Sequence, residues 1–251
     1  MPGFSWNTGL SIFNVKISST IFDRSAPDLD SCPDESLPEF AFIGRSNVGK
    51  STLLNFLADK RDLARVSPTP GFTKLINIFT INRTWRLVDL PGYGYAHVAR
   101  KDSARFNEAV SNYLEHRANL CLVFALIDSV LPPQAIDLEF IQWMLSKEIP
   151  FVLVFTKTDK LPLPEIEANI ETFMARIAPW FEQAPAKFKC SATLGKGRED
   201  LLNVIDESLK AIKVQSKEIP TSGPWDVAPG GRPAPSVRQP KKPRPDLNRP
   251  W

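Results

Sequence analysis

Residues 44–51, Gly-Arg-Ser-Asn-Val-Gly-Lys-Ser, have the residue types and spacing of a loop that binds phosphate. They fit the pattern G-x-x-x-x-G-K-[ST] at every fixed position. Gly44 and Gly49 let the backbone turn tightly around an anion, so that N–H groups point at phosphate oxygens. Lys50 can reach the β- and γ-phosphates of a nucleotide, and the Ser51 hydroxyl can ligate Mg²⁺. The residues predicted to contact phosphate are Gly44, Arg45, Ser46, Asn47, Val48, Gly49, Lys50 and Ser51. The alternative is a glycine turn between a core strand and a core helix.

Three more polar segments follow apolar runs, where an open α/β sheet places its ligand-binding residues. Residues 89–92 offer a carboxylate that can hold Mg²⁺ through water, and a glycine N–H for a γ-phosphate. In residues 156–159, Asp159 can accept hydrogen bonds from the ring N–H and the amine of guanine, and the Lys157 stem can lie along the ring. Residues 190–192 can offer a backbone N–H to the guanine carbonyl. The members are Asp89, Leu90, Pro91, Gly92, Thr156, Lys157, Thr158, Asp159, Cys190, Ser191 and Ala192.

The order of the four segments matters more than any one of them. Asp-Leu-Pro-Gly alone is an ordinary turn at the end of a strand, and Ser-Ala alone carries almost no information. Together they predict a site for GTP or GDP with Mg²⁺. Adenine has no pair of donors that would suit Asp159, so this residue counts against a phosphate-loop kinase acting on a small molecule.

The surrounding elements alternate between apolar strands and amphipathic helices. Asn82-Arg83 suits a tight turn and predicts an antiparallel hairpin. The remaining alternation predicts an α/β fold, a mostly parallel sheet with helices on both faces. The predicted strands are 15–21, 40–43, 75–81, 85–90, 120–127, 151–155 and 188–190, and the predicted helices are 51–57, 103–117, 135–146, 165–177 and 199–212.

Composition divides the chain of 251 residues into three parts. Residues 1–35 are predicted to be an N-terminal arm that is partly strand, and residues 36–214 the nucleotide-binding domain. Residues 215–251 are predicted to be a disordered, basic, proline-rich C-terminal tail, because residues 217–251 contain nine prolines and few aliphatic residues. Residues 217–251 carry a net charge of +4, whereas residues 1–216 carry −1. Such a tail suits a polyanion such as RNA, although it could equally be a solvated appendage.

Several classes of protein are disfavoured by the sequence. The hydrophobic fraction of 43% is enough for a large core, but we find no run of about 18 to 20 apolar residues that would cross a membrane. The N-terminus lacks the pattern of a secretory signal. Cys32, Cys121 and Cys190 are far apart and have no metal-type spacing. We therefore expect a cytoplasmic protein without a membrane partner.

Roughly residues 12–213 resemble the translation-factor-like P-loop GTPases, and more narrowly the EngB (YihA) family of ribosome-biogenesis GTPases. The narrower resemblance depends on residues 44–51, on Thr-Pro-Gly-Phe-Thr (69–73) with Asn77 beyond it, and on Asp-Leu-Pro-Gly-Tyr-Gly-Tyr-Ala (89–96). It implies binding of GTP/GDP and Mg²⁺ and slow hydrolysis of GTP. It also implies a role in assembling the large ribosomal subunit, with family descriptions that include the cell cycle and the division septum.

The resemblance further implies a switch segment that contacts the nucleotide, with Thr73 joining Ser51 as a magnesium ligand in the GTP state. Phe72 and Lys74 stand where the family usually has Arg and Gln, so family contacts made by those two side chains do not carry over. The residues of this segment are Gly71, Phe72, Thr73, Lys74 and Leu75.

No catalytic residue can be assigned from the sequence. Tyr93 stands where many GTPases carry the glutamine that orients water, and tyrosine cannot replace that amide; it could simply pack the loop. Arg45 lies beside the phosphates, but its direction is not readable from sequence, and His97 is a conceivable proton acceptor. Asn47 could hold K⁺ against the phosphates, as in potassium-stimulated relatives, or simply bond to its own loop.

The expected partners are the precursor of the large ribosomal subunit and ribosomal RNA, bound by a protein that we expect to be a monomer. A different interpretation is a nucleotide-dependent binding module with negligible turnover, acting in another RNA or cell-cycle pathway. Hydrolysis in a single turnover, with and without ribosomal particles, distinguishes the two.

Overall fold

The computed structural model describes residues 15–60, 63, 75–94 and 100–218, with the backbone alone for 100–107 and 215–218. Within these ranges, seven strands form one sheet in the order β1-β3-β4-β2-β5-β6-β7. The strands are β1 (Thr20–Ala26), β2 (Glu39–Gly44), β3 (Ile76–Ile81), β4 (Trp85–Asp89), β5 (Leu120–Asp128), β6 (Phe151–Thr156) and β7 (Lys187–Lys189). The α-helices are α1 (Lys50–Leu57), α2 (Arg100–His116), α3 (Ala135–Ser146), α4 (Leu163–Ile177) and α5 (Arg198–Glu218).

The direction of the strands determines where the sheet can bind a ligand. Strands β4, β2, β5, β6 and β7 run parallel to one another. Strand β3 is antiparallel to both β1 and β4, which confirms the predicted hairpin at residues 82–83. The carboxyl ends of the parallel strands therefore meet at one edge of the sheet, and this confirms the predicted fold class.

The core has two layers, one on each face of the sheet. All six residues of β2 are buried, and its side chains alternate between the layers. Phe40 and Phe42 pack with α1 and α5, whereas Ala41 and Ile43 pack with α2, α3 and α4. Beyond Glu39, the central strand is apolar because helices cover both of its faces.

Four predicted elements have boundaries that are wrong by two or more residues, and one of them is helix α2, which begins at Arg100 rather than at residue 103. The first strand is β1 (Thr20–Ala26) rather than 15–21, because its register is set by antiparallel pairing with β3 and not by the alternation that begins at Val15. Helix α4 begins at Leu163 and includes Pro164, since a proline fits in the first turn of a helix. Helix α5 continues to Glu218, beyond the predicted end at 212 and into the segment assigned to the tail. Most of the proposed tail, residues 219–251, lies outside the described residues.

A buried charge network closes the end of the sheet where β2 begins. The Glu39 carboxylate is fully buried. It accepts hydrogen bonds from Tyr113 Oη at 2.7 Å and from Arg117 Nη2 at 2.7 Å, and Arg86 Nη1 lies 3.3 Å away. Burial acts to raise the pKa of Glu39, but these hydrogen bonds and the charge of Arg117 outweigh it, so the pKa lies below its usual value of 4.5. This network ties α2 to the sheet, at the end of β2 remote from residues 44–51.

None of the helices in the described part of the chain is long and apolar enough to cross a membrane.

Candidate nucleotide-binding site

The predicted phosphate loop connects the end of β2 to the start of α1. Two of its residues have left-handed backbone conformations, Asn47 with φ 65° and Gly49 with φ 97°. Gly49 precedes the first residue of α1, and no described side chain caps that end of the helix. The first N–H groups of α1 are therefore open to an anion, and the positive end of the helix dipole points the same way.

The turn after β4 lies directly against the phosphate loop. A Cβ atom added to Gly92 would lie 2.9 Å from the carbonyl oxygen of Gly44, which is too close for a side chain. A Cβ atom on Gly44 would lie 2.7 Å from the carbonyl oxygen of Leu126. Glycine is needed at both positions because the three strand ends approach so closely. The structure thus brings residues 89–92 beside residues 44–51.

Lys50 and Asp89 form an ion pair across this junction. Both side chains are buried, Lys50 at 8% exposure and Asp89 at 3%. The ammonium of Lys50 holds the carboxylate that was predicted to contact Mg²⁺ through water. A bound nucleotide would offer Lys50 phosphate oxygens in place of this partner.

The donors near the phosphate loop suit Mg²⁺ held by a nucleotide. The described residues contain no cluster of three or more His, Cys, Asp or Glu side chains that could hold a metal ion alone. Mg²⁺ at a nucleotide site usually keeps several waters and binds one or two protein groups together with phosphates. The hydroxyl of Ser51 in the first turn of α1 and the carboxylate of Asp89 are such groups, so the residues present fit the ion.

The segment 156–159 follows β6 and contacts the phosphate loop. Thr156 Oγ1 donates a hydrogen bond to the carbonyl oxygen of Val48 at 2.7 Å. Lys157 has φ 60°, and its Nζ lies 2.6 Å from Oδ2 of Asp128. Its Cε lies 3.9 Å from the position of an added Cβ on Gly49. The Lys157 stem thus runs beside the loop, where a base stacked on it would adjoin the phosphates.

Asp159 is held by Ser191, which lies at the end of the next strand. Ser191 Oγ donates a hydrogen bond to Oδ1 of Asp159 at 2.7 Å. This bond is the main cause that places the pKa of Asp159 below its usual value of 3.8. The carboxylate is therefore ionised at neutral pH and can accept two hydrogen bonds from a guanine edge.

The segment 190–192 has two of its three N–H groups already engaged. Cys190 N donates to the carbonyl oxygen of Phe155 at 2.8 Å, and Ser191 N donates to that of Lys196 at 3.1 Å. Ala192 is left as the candidate donor to a guanine carbonyl. Burial raises the pKa of the Cys190 thiol to about 12, so this side chain is a core residue without thiolate chemistry.

Two carboxylates of the site were missed by the sequence analysis. Asp128 ends β5 and holds Lys157. Asp137 lies in the first turn of α3, where its Oδ2 is 3.0 Å from Arg45 Nε and its Oδ1 is 3.0 Å from Tyr93 Oη. The available signal was weak, since a charged residue after an apolar strand and an acidic residue in a first helical turn are both ordinary features.

Some predicted site residues are not placed by the structure. Gly71, Phe72, Thr73 and Lys74 lie outside the described residues, and so does His97. Leu75 is exposed and immediately precedes β3. The switch segment and the magnesium role of Thr73 remain predictions.

A parallel sheet whose strand ends carry a phosphate loop and a guanine-suited carboxylate defines the P-loop GTPase class. Residues 39–157 match the family described as "50S ribosome-binding GTPase". The "Probable GTP-binding protein EngB" of Phocaeicola vulgatus is 42% identical over 79% of this chain and 100% of its own length. The EngB of Christiangramia forsetii is 44% identical over 76% of this chain and 97% of its own. The chain belongs to the EngB family of GTP-binding proteins.

Solved structures agree with this assignment. A crystal structure of a probable GTP-binding protein EngB superimposes with a TM-score of 0.54 at 26% identity, covering 69% of this chain and 99% of that one. Era in complex with MgGDPNP and part of 16S ribosomal RNA has a TM-score of 0.53 at 22% identity, covering 76% of this chain and 59% of its own. The likeness to Era concerns the fold alone.

Proposed function

We propose that this GTPase is a slow molecular switch in the assembly of the large ribosomal subunit. The observation that carries the proposal is the convergence of residues 44–51, 89–92 and 156–159 at the carboxyl edge of one parallel sheet. The description of the matching family as ribosome-binding supports the choice of partner. The proposed partners are a precursor of the large subunit and its ribosomal RNA, bound by a monomer in the cytoplasm. The family resemblance extends the proposal to the cell cycle, as a requirement for assembly of the division septum.

The proposed chemistry assigns one role to each segment. The N–H groups at the start of α1 and the Lys50 ammonium bind the phosphates, and Asp159 with Ala192 binds guanine. Ser51, together with Thr73 in the GTP state, would ligate Mg²⁺, while Asp89 would hold it through water. The ion would neutralise charge that develops on the phosphate oxygens during hydrolysis.

Slow intrinsic turnover is supported by the contacts of two side chains near the expected position of the phosphates. The hydroxyl of Tyr93 is 3.0 Å from Asp137, and the Tyr93 side chain is buried. The Nε of Arg45 is also directed to Asp137. With both groups engaged in this way, an activating partner, or K⁺ held by Asn47, would have to supply the missing stabilisation of charge.

Co-sedimentation with large-subunit precursor particles tests the proposal. We expect binding with a non-hydrolysable GTP analogue and release with GDP. The Asp159→Asn variant is a matched control: it should lose binding with the guanine analogue and regain it with the xanthine analogue. Equal sedimentation of the unmodified chain in GDP and in the GTP analogue would overturn the switch proposal.

The tail is included in the same experiment. A chain ending at Glu218 retains the whole of α5, and each nucleotide-binding segment proposed above precedes that point. If the basic tail binds ribosomal RNA, this shorter chain should keep its affinity for GDP but bind particles with a shallower dependence on salt. Identical salt curves for the two chains would assign the ribosome contact to the folded domain.

A binding module with negligible turnover is the second candidate, and it is favoured by the same engagement of Tyr93 and Arg45. Single-turnover hydrolysis of GTP separates the two functions. Acceleration by large-subunit particles supports the switch with hydrolysis, whereas no hydrolysis with particles present supports the binding module.

A further inference from the structure

One carboxylate joins the phosphate loop to the turn after β4. Asp137 is nearly inaccessible, with its side chain at 2% exposure. Its two oxygens lie 3.1 and 3.0 Å from Arg45 Nε, and Oδ1 also accepts a hydrogen bond from Tyr93 Oη at 3.0 Å. Helix α3 therefore binds one side chain from each of the two loops that flank the expected phosphate position.

Helix α3 also fixes the ring of Tyr93. Phe140 lies one helical turn beyond Asp137, and its ring stacks on that of Tyr93 with a centroid distance of 4.5 Å and an interplanar angle of 28°. The hydroxyl and the ring of Tyr93 are thus both held by α3. Burial, the charge of Asp137 and the hydrogen bond to it raise the pKa of Tyr93 well above 10.0, so the phenol stays a neutral donor.

The backbone of Tyr93 is bonded to the phosphate loop. Tyr93 N donates to the carbonyl oxygen of Gly44 at 3.3 Å, and Ser46 N donates to the carbonyl oxygen of Tyr93 at 3.1 Å. Gly92, the residue before Tyr93, lies where a Cβ atom would be 2.9 Å from Gly44 O. The position of the Gly92 N–H therefore depends on how firmly Tyr93 is held.

We propose that Asp137 is a positioning residue for recognition of the γ-phosphate. By holding Arg45 and Tyr93 it keeps the Gly92 N–H beside the phosphate loop, and it thereby influences the ratio of the affinities for GTP and GDP. This inference rests on the proposed function, because that function requires the two nucleotides to be distinguished. GDP has no γ-phosphate, so its binding depends less on Gly92.

Three variants test the role of Asp137. Asp137→Ala removes both contacts, and Tyr93→Phe removes the hydroxyl while retaining the ring that stacks on Phe140. Glu139→Gln is the control, because Glu139 is exposed on the same helix and its substitution also removes one negative charge. The measurements are the Kd for GDP, the Kd for a non-hydrolysable GTP analogue, and the melting temperature of each variant.

We expect Asp137→Ala to lower the affinity for the GTP analogue, relative to the affinity for GDP, by roughly tenfold, the scale of a typical coupling between sites. Tyr93→Phe should reduce it by a smaller factor, and Glu139→Gln should leave it unchanged. If the role of Asp137 is purely structural, Asp137→Ala and Tyr93→Phe should have lower melting temperatures and an unchanged ratio of the two affinities. This outcome would overturn the proposal. If Asp137→Ala does not fold, the ratio of the GDP and GTP-analogue affinities of Tyr93→Phe tests the proposal instead. Equal co-sedimentation with particles in GDP and in the GTP analogue would overturn the proposed function, and it would not by itself change the affinity ratio that tests Asp137.

Discussion

Thr156 and Val48 are joined by a hydrogen bond of 2.7 Å from the threonine hydroxyl to the valine carbonyl oxygen. Thr156 is the last residue of β6, and Val48 belongs to the phosphate loop. The hydroxyl also lies 3.2 Å from the carbonyl oxygen of Ile127 in β5. One buried side chain thus fixes the distance between the part of the site suited to guanine and the part suited to phosphate.

The Thr156→Val variant should weaken binding of GDP and GTP by similar factors. Loss of the hydroxyl leaves the buried carbonyl group of Val48 without this partner, which should lower the free energy of unfolding by about 1 to 2 kcal/mol. Titration with each nucleotide and urea denaturation measure the two effects. Thr156→Ser keeps the hydroxyl and should therefore retain most of the nucleotide affinity and most of the free energy of unfolding. A changed ratio of GTP to GDP affinity in Thr156→Val would contradict this account.

The Lys50→Ala variant should abolish productive binding of GTP. The sequence alone predicts that the nucleotide-free fold is unaffected, because Lys50 was expected to face the phosphates. The structure changes that expectation, since Asp89 would be left buried without its cationic partner. We expect a loss of about 3 kcal/mol of unfolding free energy in nucleotide-free buffer.

The double variant Lys50→Ala/Asp89→Asn identifies the cause of that loss. It should recover much of the stability, because the unpaired charge is gone, while nucleotide binding stays absent. Denaturation of the two single variants and the double variant gives the coupling energy between the residues. Additive losses would show that the ion pair does not determine the stability of the nucleotide-free protein.

The Asp159→Asn variant should weaken GTP and GDP binding by roughly 1 to 3 kcal/mol, because an amide cannot accept both guanine hydrogen bonds. Its preference should move toward xanthine nucleotides, whose extra carbonyl suits an amide donor. Ser191→Ala provides the comparison: it removes the hydroxyl that holds Asp159 and should lower affinity without changing the preferred base. If the GDP affinity of Asp159→Asn is unchanged, the assignment of Asp159 to base recognition is wrong.

Glu39 should make the fold sensitive to acid. Its folded pKa lies below the unfolded value of 4.5, so the unfolded chain takes up the proton first as the pH falls. Its contribution to stability is complete above pH 4.5 and is lost as the pH falls through the folded pKa. Glu39→Gln should be less stable at neutral pH and lose less stability on acidification. Glu35→Gln is the control, since Glu35 lies 3.6 Å from the same Arg117 but is exposed.

Asn47 should confer dependence on potassium if it helps to hold a monovalent cation. Its exposed side chain on a left-handed backbone of the phosphate loop is compatible with that role. GTP hydrolysis with large-subunit particles present should be faster in potassium than in sodium, and Asn47→Ala should remove the difference while retaining GDP binding. Equal rates for the unmodified chain in the two salts would defeat the hypothesis.

Much of the fold followed from patterns that are local in sequence. The apolar run in β5 and the amphipathic helix α3 were predicted with boundaries correct to within one residue, since burial dictates their composition. The edge strand β1 was misplaced because its register comes from Ile76–Ile81, which is remote in the chain. Local alternation of side chains cannot report such pairing.

The residues of the candidate site were likewise predictable only where they are close together in sequence. Residues 44–51 were found because a phosphate loop is continuous in sequence. Asp137 was missed because its partners, Arg45 and Tyr93, come from other strand ends and meet it only in the folded chain. The direction of Arg45 likewise depends on a carboxylate of a different element, so no motif that contains Arg45 could have indicated it.

The position of β2 in the centre of the sheet has a consequence for synthesis of the chain. Strand β2 emerges early, yet its neighbours are β4 (Trp85–Asp89) and β5 (Leu120–Asp128). Its six residues, all buried in the folded protein, therefore lack one of their two native neighbours in the sheet until β5 has been translated. Pairing over such separations in sequence slows folding and leaves apolar strands exposed to aggregation. Among the seven described strands, the one that leads into the phosphate loop thus waits over the longest stretch of chain for its full set of neighbours.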